Sequence, residues 1–348
     1  MKAKKKVLTD LTLCYAVGKL HYQGVDHFMV SAEKVDKCYL FNLEGEIEAT
    51  LWDGPGGVMT IEQVPGSDGV FLTTQKFYSP NNSAEASLVV CAPNAEGVFE
   101  TRKMMNFPFL HRFCILERNG VRYIAAGTLK SAHGYKDDWT CPGRIWVGEL
   151  PEDLDSVTVD TPIEFTPLVS GLYRNHGFCK TTVDGVQCAC FGSDQGVHMV
   201  MPPAERGGEW TVTQLLDKPT SDVLMIDIDG DGEDEMLTLA PFHGETVTIF
   251  KKKDGVFKTI YTYPYPMPFL HAIWSGEVGG KNVAFIGNRR EKMQLLALYA
   301  DGDQIKVDVL DEGAGPANCM TYKYNGKDWL VAANRETNEV ALYELVEE

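Results

Sequence analysis

A short segment that recurs with the same neighbours constrains the fold of this chain more than any other feature. Pro-Phe-Leu-His occupies positions 108–111 and returns at 268–271. His111, His176 and His271 each precede a turn glycine by nine positions, and each glycine leads into an apolar strand that ends in small residues. Self-similar units of about 40 to 50 residues, built from short strands and glycine turns, predict a β-propeller.

Weaker copies of this unit fill the rest of the sequence and bring the total to seven, with almost no segment of amphipathic helical pattern. We therefore predict an all-β fold, a seven-bladed β-propeller that forms a single domain over residues 1–348. The last unit ends on its third strand, so an N-terminal strand is expected to complete the last blade and close the ring. The expected blades are 10–52, 53–105, 106–165, 166–217, 218–265, 266–312, and 313–348 together with 2–9.

An acidic loop lies between two apolar segments in the fifth unit. Oxygen donors recur there at every second position, with glycines between them that allow sharp turns, a spacing that surrounds a hard cation such as calcium. An EF-hand would place such a loop between two helices, whereas these flanking segments read as strands. The sequence thus predicts a structural Ca²⁺ held by Asp227, Asp229, Asp231, Glu233 (through its carbonyl) and Glu235.

This loop and the seven units resemble the FG-GAP (VCBS, integrin-α-like) repeats, which are blades of β-propellers. With histidines expected to face its channel, the chain is also similar to the propeller part of the aldos-2-ulose dehydratase/isomerase family. That resemblance implies a metal-dependent carbohydrate lyase or isomerase. The chain departs from the pattern because one unit of the seven keeps the acidic loop, and because it leaves no room for an additional cupin-like domain.

Charge and cysteine content narrow the class of partner and the compartment. Thirty-two basic residues against 49 acidic ones give a net charge of −17, which argues against a nucleic-acid partner or an anionic membrane surface. Nine scattered cysteines favour free thiols in a reducing cytoplasm. No apolar run reaches the about 20 residues of a membrane span. We therefore expect a cytoplasmic protein that acts on a small-molecule carbohydrate.

Histidines at the start of the repeated unit are expected to meet at the axis of the propeller, because the first strand of each blade lines the channel. His111, His176 and His271 would then bind a divalent transition metal (Zn, Mn, Fe, Co or Ni) and leave positions open for water or substrate. The alternative is three separate histidines that face channel water or bond the backbone. The acidic loop joins the first and second strands of its blade, so it is expected on the opposite face.

Polar and aromatic loops are expected on the same face as these histidines. The longest belongs to the third blade, and long loops in compact folds are commonly functional. Their composition suits a polyhydroxylated, partly anionic ligand such as a carbohydrate. Substrate contacts are predicted for Lys76, Lys130, Asp137, Trp139, Asp194, Arg289 and Arg335.

The predicted reaction is proton abstraction next to a sugar carbonyl that the metal polarises. His133 is the expected base because its unperturbed pKa lies near neutrality, and Tyr78 or Lys136 would protonate the departing oxygen. Loss of hydroxide makes a dehydratase and loss of a sugar alkoxide cleaves a glycoside. Return of the proton to the neighbouring carbon makes an isomerase.

Two other classes of protein fit the same sequence pattern. A non-catalytic propeller that binds carbohydrate or protein would have a groove without a transition metal. A glycoside hydrolase would use paired carboxylates, Asp137 or Asp138 with Asp194 or Glu291. Replacement of His176 by alanine distinguishes the metal lyase from the hydrolase, since it should abolish the activity of a metal lyase and leave a carboxylate hydrolase largely active.

Overall fold

The strands of this chain pair into seven separate four-stranded antiparallel sheets. The computed structural model describes residues 1–35 and 37–346, and within these ranges lie 28 strands and one short 3-10 turn, Leu154–Ser156. Innermost strands of neighbouring sheets contact each other, and the innermost strand of blade 1 contacts those of blades 2 and 7, so the sheets form a ring. The predicted seven-bladed β-propeller is confirmed.

Each blade runs outward from the channel in the order of its strands. Blade 1 contains β2 (Cys14–Tyr22), β3 (Val25–Ala32), β4 (Cys38–Asn42) and β5 (Ile47–Trp52). Blade 2 contains β6 (Ile61–Gln63), β7 (Phe71–Gln75), β8 (Ser87–Pro93) and β9 (Phe99–Asn106). Blade 3 contains β10 (Leu110–Arg118), β11 (Val121–Lys130), β12 (Pro142–Glu149) and β13 (Thr166–Leu172). Blade 4 contains β14 (Phe178–Val183), β15 (Val186–Ser193), β16 (Gly196–Met201) and β17 (Thr211–Leu216).

The remaining three blades follow the same plan. Blade 5 contains β18 (Asp222–Ile226), β19 (Glu235–Ala240), β20 (Thr246–Lys253) and β21 (Val256–Thr262). Blade 6 contains β22 (Leu270–Val278), β23 (Lys281–Asn288), β24 (Leu295–Asp301) and β25 (Gln304–Asp311). Blade 7 contains β26 (Asn318–Tyr324), β27 (Lys327–Asn334), β28 (Glu339–Val346) and, at its rim, β1 (Lys2–Asp10).

The N-terminal strand closes the ring as the sequence predicts. β1 pairs antiparallel with β28, from Lys2 opposite Val346 to Asp10 opposite Glu339. As a rim strand it leaves one edge unpaired, and its run of lysines discourages another chain from adding to that edge. Lys5 is also held in place, 3.0 Å from carboxylate oxygens of both Asp311 and Glu339.

The third blade extends further along the chain than expected. Its rim strand β13 begins at Thr166, beyond the expected boundary at 165. The connection before β13 carries the 3-10 turn and buries Val157 and Ile163 against the apolar cluster between blades 2 and 3. Because this connection is long, the fourth strand begins later in the sequence than in the other blades. Sequence spacing alone therefore assigns that strand to the next unit.

Apolar contact between neighbouring blades forms the core. The middle strands are the most buried because both of their faces are covered, and the last eight residues of β11 are all buried. Rim strands such as β17 are largely exposed. A typical inter-blade cluster joins Phe285 of blade 6 to Tyr343 of blade 7, and each large apolar side chain buried in this way stabilises the fold by about 1.5–3 kcal/mol.

All nine cysteines are free thiols, and eight of them are buried. Burial raises the pKa of the Cys91 and Cys319 thiols to about 12, so both stay protonated at pH 7. Among the described residues, no helix has the length and apolar character needed to cross a membrane.

Candidate functional site at the channel

Three inner strands begin with a β-bulge at a residue that reaches the site. The pairing of β2 with β3 shifts between Cys14 and Ala16, which leaves Tyr15 as the extra residue. The same shift occurs at His111 in β10 and at His271 in β22. A bulge redirects the side chain of its extra residue and is common beside functional sites. The fold thus presents these three residues in equivalent positions.

Four imidazole rings gather next to these bulges. The ring centroid of His176 lies 4.5 Å from that of His111, 5.0 Å from that of His243 and 5.2 Å from that of His271. His243 and His271 are 5.6 Å apart. The structure therefore brings together the three histidines singled out in the sequence and adds His243 from the turn after β19. We call these four residues the histidine cluster.

Hydrogen bonds fix the orientation and tautomer of three of these rings. Nδ1 of His111 lies 2.8 Å from the carbonyl oxygen of His176, and Nδ1 of His271 lies 2.7 Å from the carbonyl oxygen of Ala317. Nδ1 of His176 lies 2.9 Å from Oδ2 of Asp222. Carbonyl and carboxylate oxygens accept hydrogen bonds, so Nδ1 carries the proton in each neutral ring and Nε2 keeps its lone pair.

The donor atoms of the cluster fit a divalent transition metal. One ring nitrogen from each of His176, His243 and His271 lies within 4.8 Å of those of the other two. Metal-binding histidines commonly donate their second nitrogen to an oxygen, as His176 and His271 do. Nε2 of His243 is buried and, within the described part of the chain, has no hydrogen-bond partner. The predicted third ligand, His111, lies beside this trio, and metal binding by any of these histidines stays a prediction.

One hydrogen bond competes with metal binding at this trio. The hydroxyl of Tyr15 lies 3.0 Å from Nε2 of His271 and donates to it. Burial raises the pKa of Tyr15 to about 12, although Arg112 opposes this shift, so the hydroxyl keeps its proton at pH 7. A metal on Nε2 of His271 would displace this hydroxyl, which would then be available to a ligand.

Burial keeps three rings of the histidine cluster neutral. The pKa values of His111, His243 and His271 lie well below 6.5 because burial disfavours the charged imidazole, and the positive potential of neighbouring histidines and arginines lowers them further. Neutral rings have lone pairs available at pH 7. The cluster can therefore bind a metal or accept a proton without first losing one.

A buried carboxylate supports His176 from the start of β18. Burial opposes the ionisation of Asp222, but its interactions with His176 and Arg112 outweigh burial, and the pKa of Asp222 stays below its usual value. Ser221 Oγ also donates to Asp222 Oδ2 at 3.0 Å. The ionised carboxylate thus holds His176 in one tautomer and stabilises positive charge on its ring or on a bound ion.

Aromatic side chains surround the exposed side of the cluster. The ring of Phe242 stacks on His243 at 3.9 Å, and Phe269 stacks on the same ring at 4.2 Å. Trp139 contacts Phe242 edge-on at 5.3 Å, and the guanidinium of Arg174 lies 5.7 Å over Trp139. Trp139, a predicted substrate contact, is therefore separated from the histidine cluster by one ring.

A cavity of about 510 Å³ lies in the central channel and is lined by residues of inner strands from all seven blades. Its size is in the range of pockets that bind small molecules. Two of its lining residues connect the cavity with the histidine cluster: Asp222 bonds His176, and Arg112 follows His111 in β10. Its charged lining residues are Lys19, Glu62, Arg112, Lys180 and Asp222.

Ion pairs engage most of the predicted substrate-binding residues. These pairs are Lys76 with Glu85, Asp194 with Arg174, Arg289 with Glu336, and Arg335 with Glu33. Arg289 also lies 4.6 Å over the ring of Phe269 and so borders the histidine cluster. A ligand that contacts these residues would therefore interact with side chains that are already in ion pairs.

Two further predicted contacts have structural partners. Lys130 is buried and donates to Asn81 Oδ1 at 2.9 Å and to the carbonyl oxygen of Asp138 at 2.7 Å. Asp137 accepts a hydrogen bond from Asn81 Nδ2 at 2.5 Å. These contacts tie the long loop of blade 3 to blade 2.

The predicted catalytic residues lie in the surrounding loops. His133 meets the ring of Phe109 edge-on at 5.8 Å, and the side chain of Lys136 is exposed. Tyr78 is half-buried, and its backbone N–H donates to the carbonyl oxygen of Asn82. Within the described ranges, no hydrogen bond or ring contact joins these three side chains to the histidine cluster. Their catalytic role stays a prediction.

A lysine ammonium lies where the sequence analysis placed calcium. Nζ of Lys251 is 2.6 Å from Oδ2 of Asp229, 2.7 Å from Oδ2 of Asp231 and 2.7 Å from Oε1 of Glu235. Met236 pairs with Phe250 across β19 and β20, which places Lys251 beside Glu235. A calcium ion would have to displace this ammonium, although ligand oxygens of Asp227, Asp229 and Glu235 lie within 4.8 Å of one another. Calcium binding at this loop stays a prediction.

The other two predicted calcium ligands support the turn. Oδ2 of Asp227 accepts from the backbone N–H of Gly232 at 3.0 Å, while its Oδ1 is buried without a partner among the described residues. The backbone N–H of Glu233 donates to Asp231 Oδ1 at 3.0 Å, and Glu233 itself is exposed. Such bonds stabilise an acidic turn with or without an ion.

Four residues of the site were not among the sequence-based candidates: Tyr15, Arg112, Asp222 and His243. A signal existed for Tyr15, because it precedes Gly24 by the same nine positions that separate His111 from its turn glycine. Asp222 also begins its unit. His243 and Arg112 carry no signal of this kind, since their places depend on a turn and on a bulge.

Comparisons with known proteins identify the fold and no family. No protein-family model matches the chain, and no characterised protein matches it in sequence. A solved structure described as streptogramin B lyase is similar over 99% of both chains, with 15% identity and a TM-score of 0.60. A putative 6-phosphogluconolactonase from Bacteroides uniformis has 14% identity over 89% of this chain and 88% of its own, with a TM-score of 0.58. A glucose dehydrogenase has 13% identity over 99% of both chains and a TM-score of 0.52. The chain shares the propeller architecture of these enzymes.

Proposed function

We propose that this protein is a carbon–oxygen lyase that removes a proton next to a carbonyl group at the histidine cluster, with a divalent transition metal on His176, His243 and His271. The observation that carries the proposal is the set of four adjacent imidazoles at the channel, of which three are held by hydrogen bonds from Nδ1. Bound there, the metal would polarise the carbonyl group of a substrate. A carbohydrate is the substrate class that the aromatic and polar surroundings suit.

The protein supplies both proton-transfer groups of the proposed reaction. His111 accepts the proton, because its Nδ1–H is bound to the carbonyl oxygen of His176 and its neutral ring leaves Nε2 free. Tyr15 donates a proton to the departing oxygen, because its hydroxyl is protonated at neutral pH. The C–H electrons form the double bond, and the C–O bond breaks with its electron pair on oxygen.

Two features of the fold support an enzymatic role. Propellers of similar architecture include proteins described as a lyase, a dehydrogenase and a putative lactonase. Buried neutral histidines beside an ionised carboxylate are also costly in free energy, and such perturbed groups concentrate at catalytic sites. A propeller that merely binds its ligand has no need for this arrangement of lone pairs.

The contacts of the candidate carboxylates disfavour a glycoside hydrolase. Both side-chain oxygens of Asp138 are engaged, one by Gly134 N–H at 2.8 Å and the other by the N–H and hydroxyl of Thr140. These bonds lower the pKa of Asp138 to about 2, so it is no proton donor. Asp194 is paired with Arg174 at 2.9 Å. Burial nevertheless raises the pKa of Asp194, so Asp138 is the member of the candidate pair that does not fit a general acid.

The test is an elimination assay on a panel of keto-sugars, uronates and their glycosides. Elimination is followed by the ultraviolet absorbance of the conjugated double bond, and by incorporation of deuterium from heavy water at the carbon that loses the proton. We expect both signals for the wild-type protein and their loss in His176→Ala. His21→Ala, which removes an exposed histidine paired with Asp26, is the matched control. Binding without either signal would instead support a non-catalytic propeller.

A further inference from the structure

The channel contains a buried cation without a carboxylate partner. Arg112 is 7% exposed and lines the channel cavity. One of its terminal nitrogens donates to the carbonyl oxygen of Met59. Among the residues described, no carboxylate forms an ion pair with it. Its guanidinium lies 5.8 Å over the ring of Tyr15, beside the groups proposed for catalysis.

Two other cations of the channel and its mouth have carboxylate partners. Lys180 in the same cavity lies 2.8 Å from Glu62, and Arg289 is bound to Glu336. Burial of a charge without a partner is unfavourable, and proteins normally compensate it. The nearest candidate for compensation, Asp222, bonds His176 and Ser221. Arg112 therefore feels the charge of Asp222 but forms no direct ion pair with it among the described residues, and its guanidinium can bind an anion from the cavity.

We propose that Arg112 binds the carboxylate of the substrate inside the channel cavity, so that the substrate class is a sugar acid or another hydroxy acid. This inference rests on the proposed function, because it names the substrate of the same site. A guanidinium matches a carboxylate through two parallel N–H···O bonds. A carboxylate bound to Arg112 would lie near Tyr15, whose ring the guanidinium faces at 5.8 Å, and His111 is the preceding residue in β10.

The charge of Arg112 would also assist the reaction. As the proton moves to His111, negative charge develops on the carboxylate oxygens, and a fixed guanidinium stabilises it. The electron pair of the C–H bond forms the double bond, the C–O bond on the next carbon breaks, and the leaving oxygen takes the proton of Tyr15. The step needs no oxidant or reductant.

A single carboxylate fits this cavity better than a phosphate. Arg112 supplies one positive charge, and ionised Asp222 nearby repels a second negative charge on the ligand. Much of the remaining lining is apolar or aromatic, such as Ile61, Phe178 and Trp274. A phosphate dianion would require further cations that face the same point.

The test compares two sugars that differ at one carbon. Binding of D-galacturonate, D-galactose and inorganic phosphate is measured by calorimetry with the wild-type protein, Arg112→Gln and Arg112→Lys. Arg118→Gln is the matched control, because Arg118 lies at the other end of the same strand and likewise donates to one backbone carbonyl, that of Pro202. Circular dichroism confirms that each variant is folded.

We expect galacturonate to bind the wild-type protein and Arg118→Gln equally, and to bind Arg112→Gln about tenfold or more weakly. Arg112→Lys, which keeps the charge and loses the fork, should lie between them and tests the proposal even if Arg112→Gln does not fold. Equal binding of galactose, tighter binding of phosphate, or no effect of either Arg112 variant would overturn the inference. Carboxylate binding that depends on Arg112 but gives no turnover would support the inference and contradict the lyase proposal.

Discussion

Removal of the Lys251 ammonium from the acidic loop gives the sharpest test of how blade 5 is stabilised. Glu235 is 0% exposed, and the side chains of Asp229 and Asp231 are 35% and 48% exposed. Loss of one partner from a buried ion pair costs about 3–5 kcal/mol, whereas exposed pairs contribute little. The Glu235 contact therefore dominates, and we expect Lys251→Met to lower the free energy of unfolding by about 3 kcal/mol near pH 8.

Calcium should rescue this variant and leave the wild-type protein unchanged. With Lys251 absent, the loop matches the calcium ligands expected from the sequence, and an ion at about 100 times its dissociation constant restores about 2.7 kcal/mol. The assay is urea unfolding followed by tryptophan fluorescence, in EDTA and in calcium chloride. Lys258→Met, which removes an exposed pair with Asp254 in the same blade, is the control. Equal stabilisation of wild type and Lys251→Met by calcium would refute the reasoning.

Three further predictions concern the histidine cluster. Tyr15→Phe should keep or strengthen metal binding, because it frees Nε2 of His271, and should still abolish turnover, as measured by metal titration and the elimination assay. Asp222→Asn should reduce turnover by about tenfold or more, since it removes the charge that supports His176 while it keeps a hydrogen-bond acceptor; the pH profile of turnover should shift with it. Metal-free protein should lose stability as the pH falls from 6.5, because His111, His243 and His271 bind protons in the unfolded chain before they do so in the folded one. Each such histidine contributes up to about 1.4 kcal/mol per pH unit, and urea unfolding of wild type and His243→Gln should show a smaller slope for the variant.

The regular part of the fold could be predicted because it depends on local pattern. A turn glycine at a fixed distance from the first residue of each unit marks the inner hairpin, so the number of blades and the position of His111 and His271 follow from the sequence. Ring closure follows from a last unit that lacks one strand. The sequence pattern did not assign the rim strand β13 to blade 3, because a packed connection separates β13 along the chain from the other three strands of that blade.

The composition of the site depends on features that a linear pattern does not contain. His243 lies on a turn after β19 and joins the cluster because neighbouring blades bring that turn to the axis. Lys251 reaches Glu235 through the pairing of β19 with β20, which sets which residues are neighbours. The sequence shows the carboxylates of the acidic loop, but the cation that neutralises them belongs to another strand.

The most direct test of the central claim is the metal content of the purified protein. Elemental analysis is made of the wild-type protein and of the His243→Ala/His271→Ala double variant, each purified without added metal and again after incubation with zinc or manganese. The account predicts a near-stoichiometric transition metal in the wild-type protein and its loss in the double variant, while His21→Ala keeps it. Absence of a transition metal from the wild-type protein after both treatments, or equal retention by the double variant, would contradict a metal-assisted lyase at the histidine cluster.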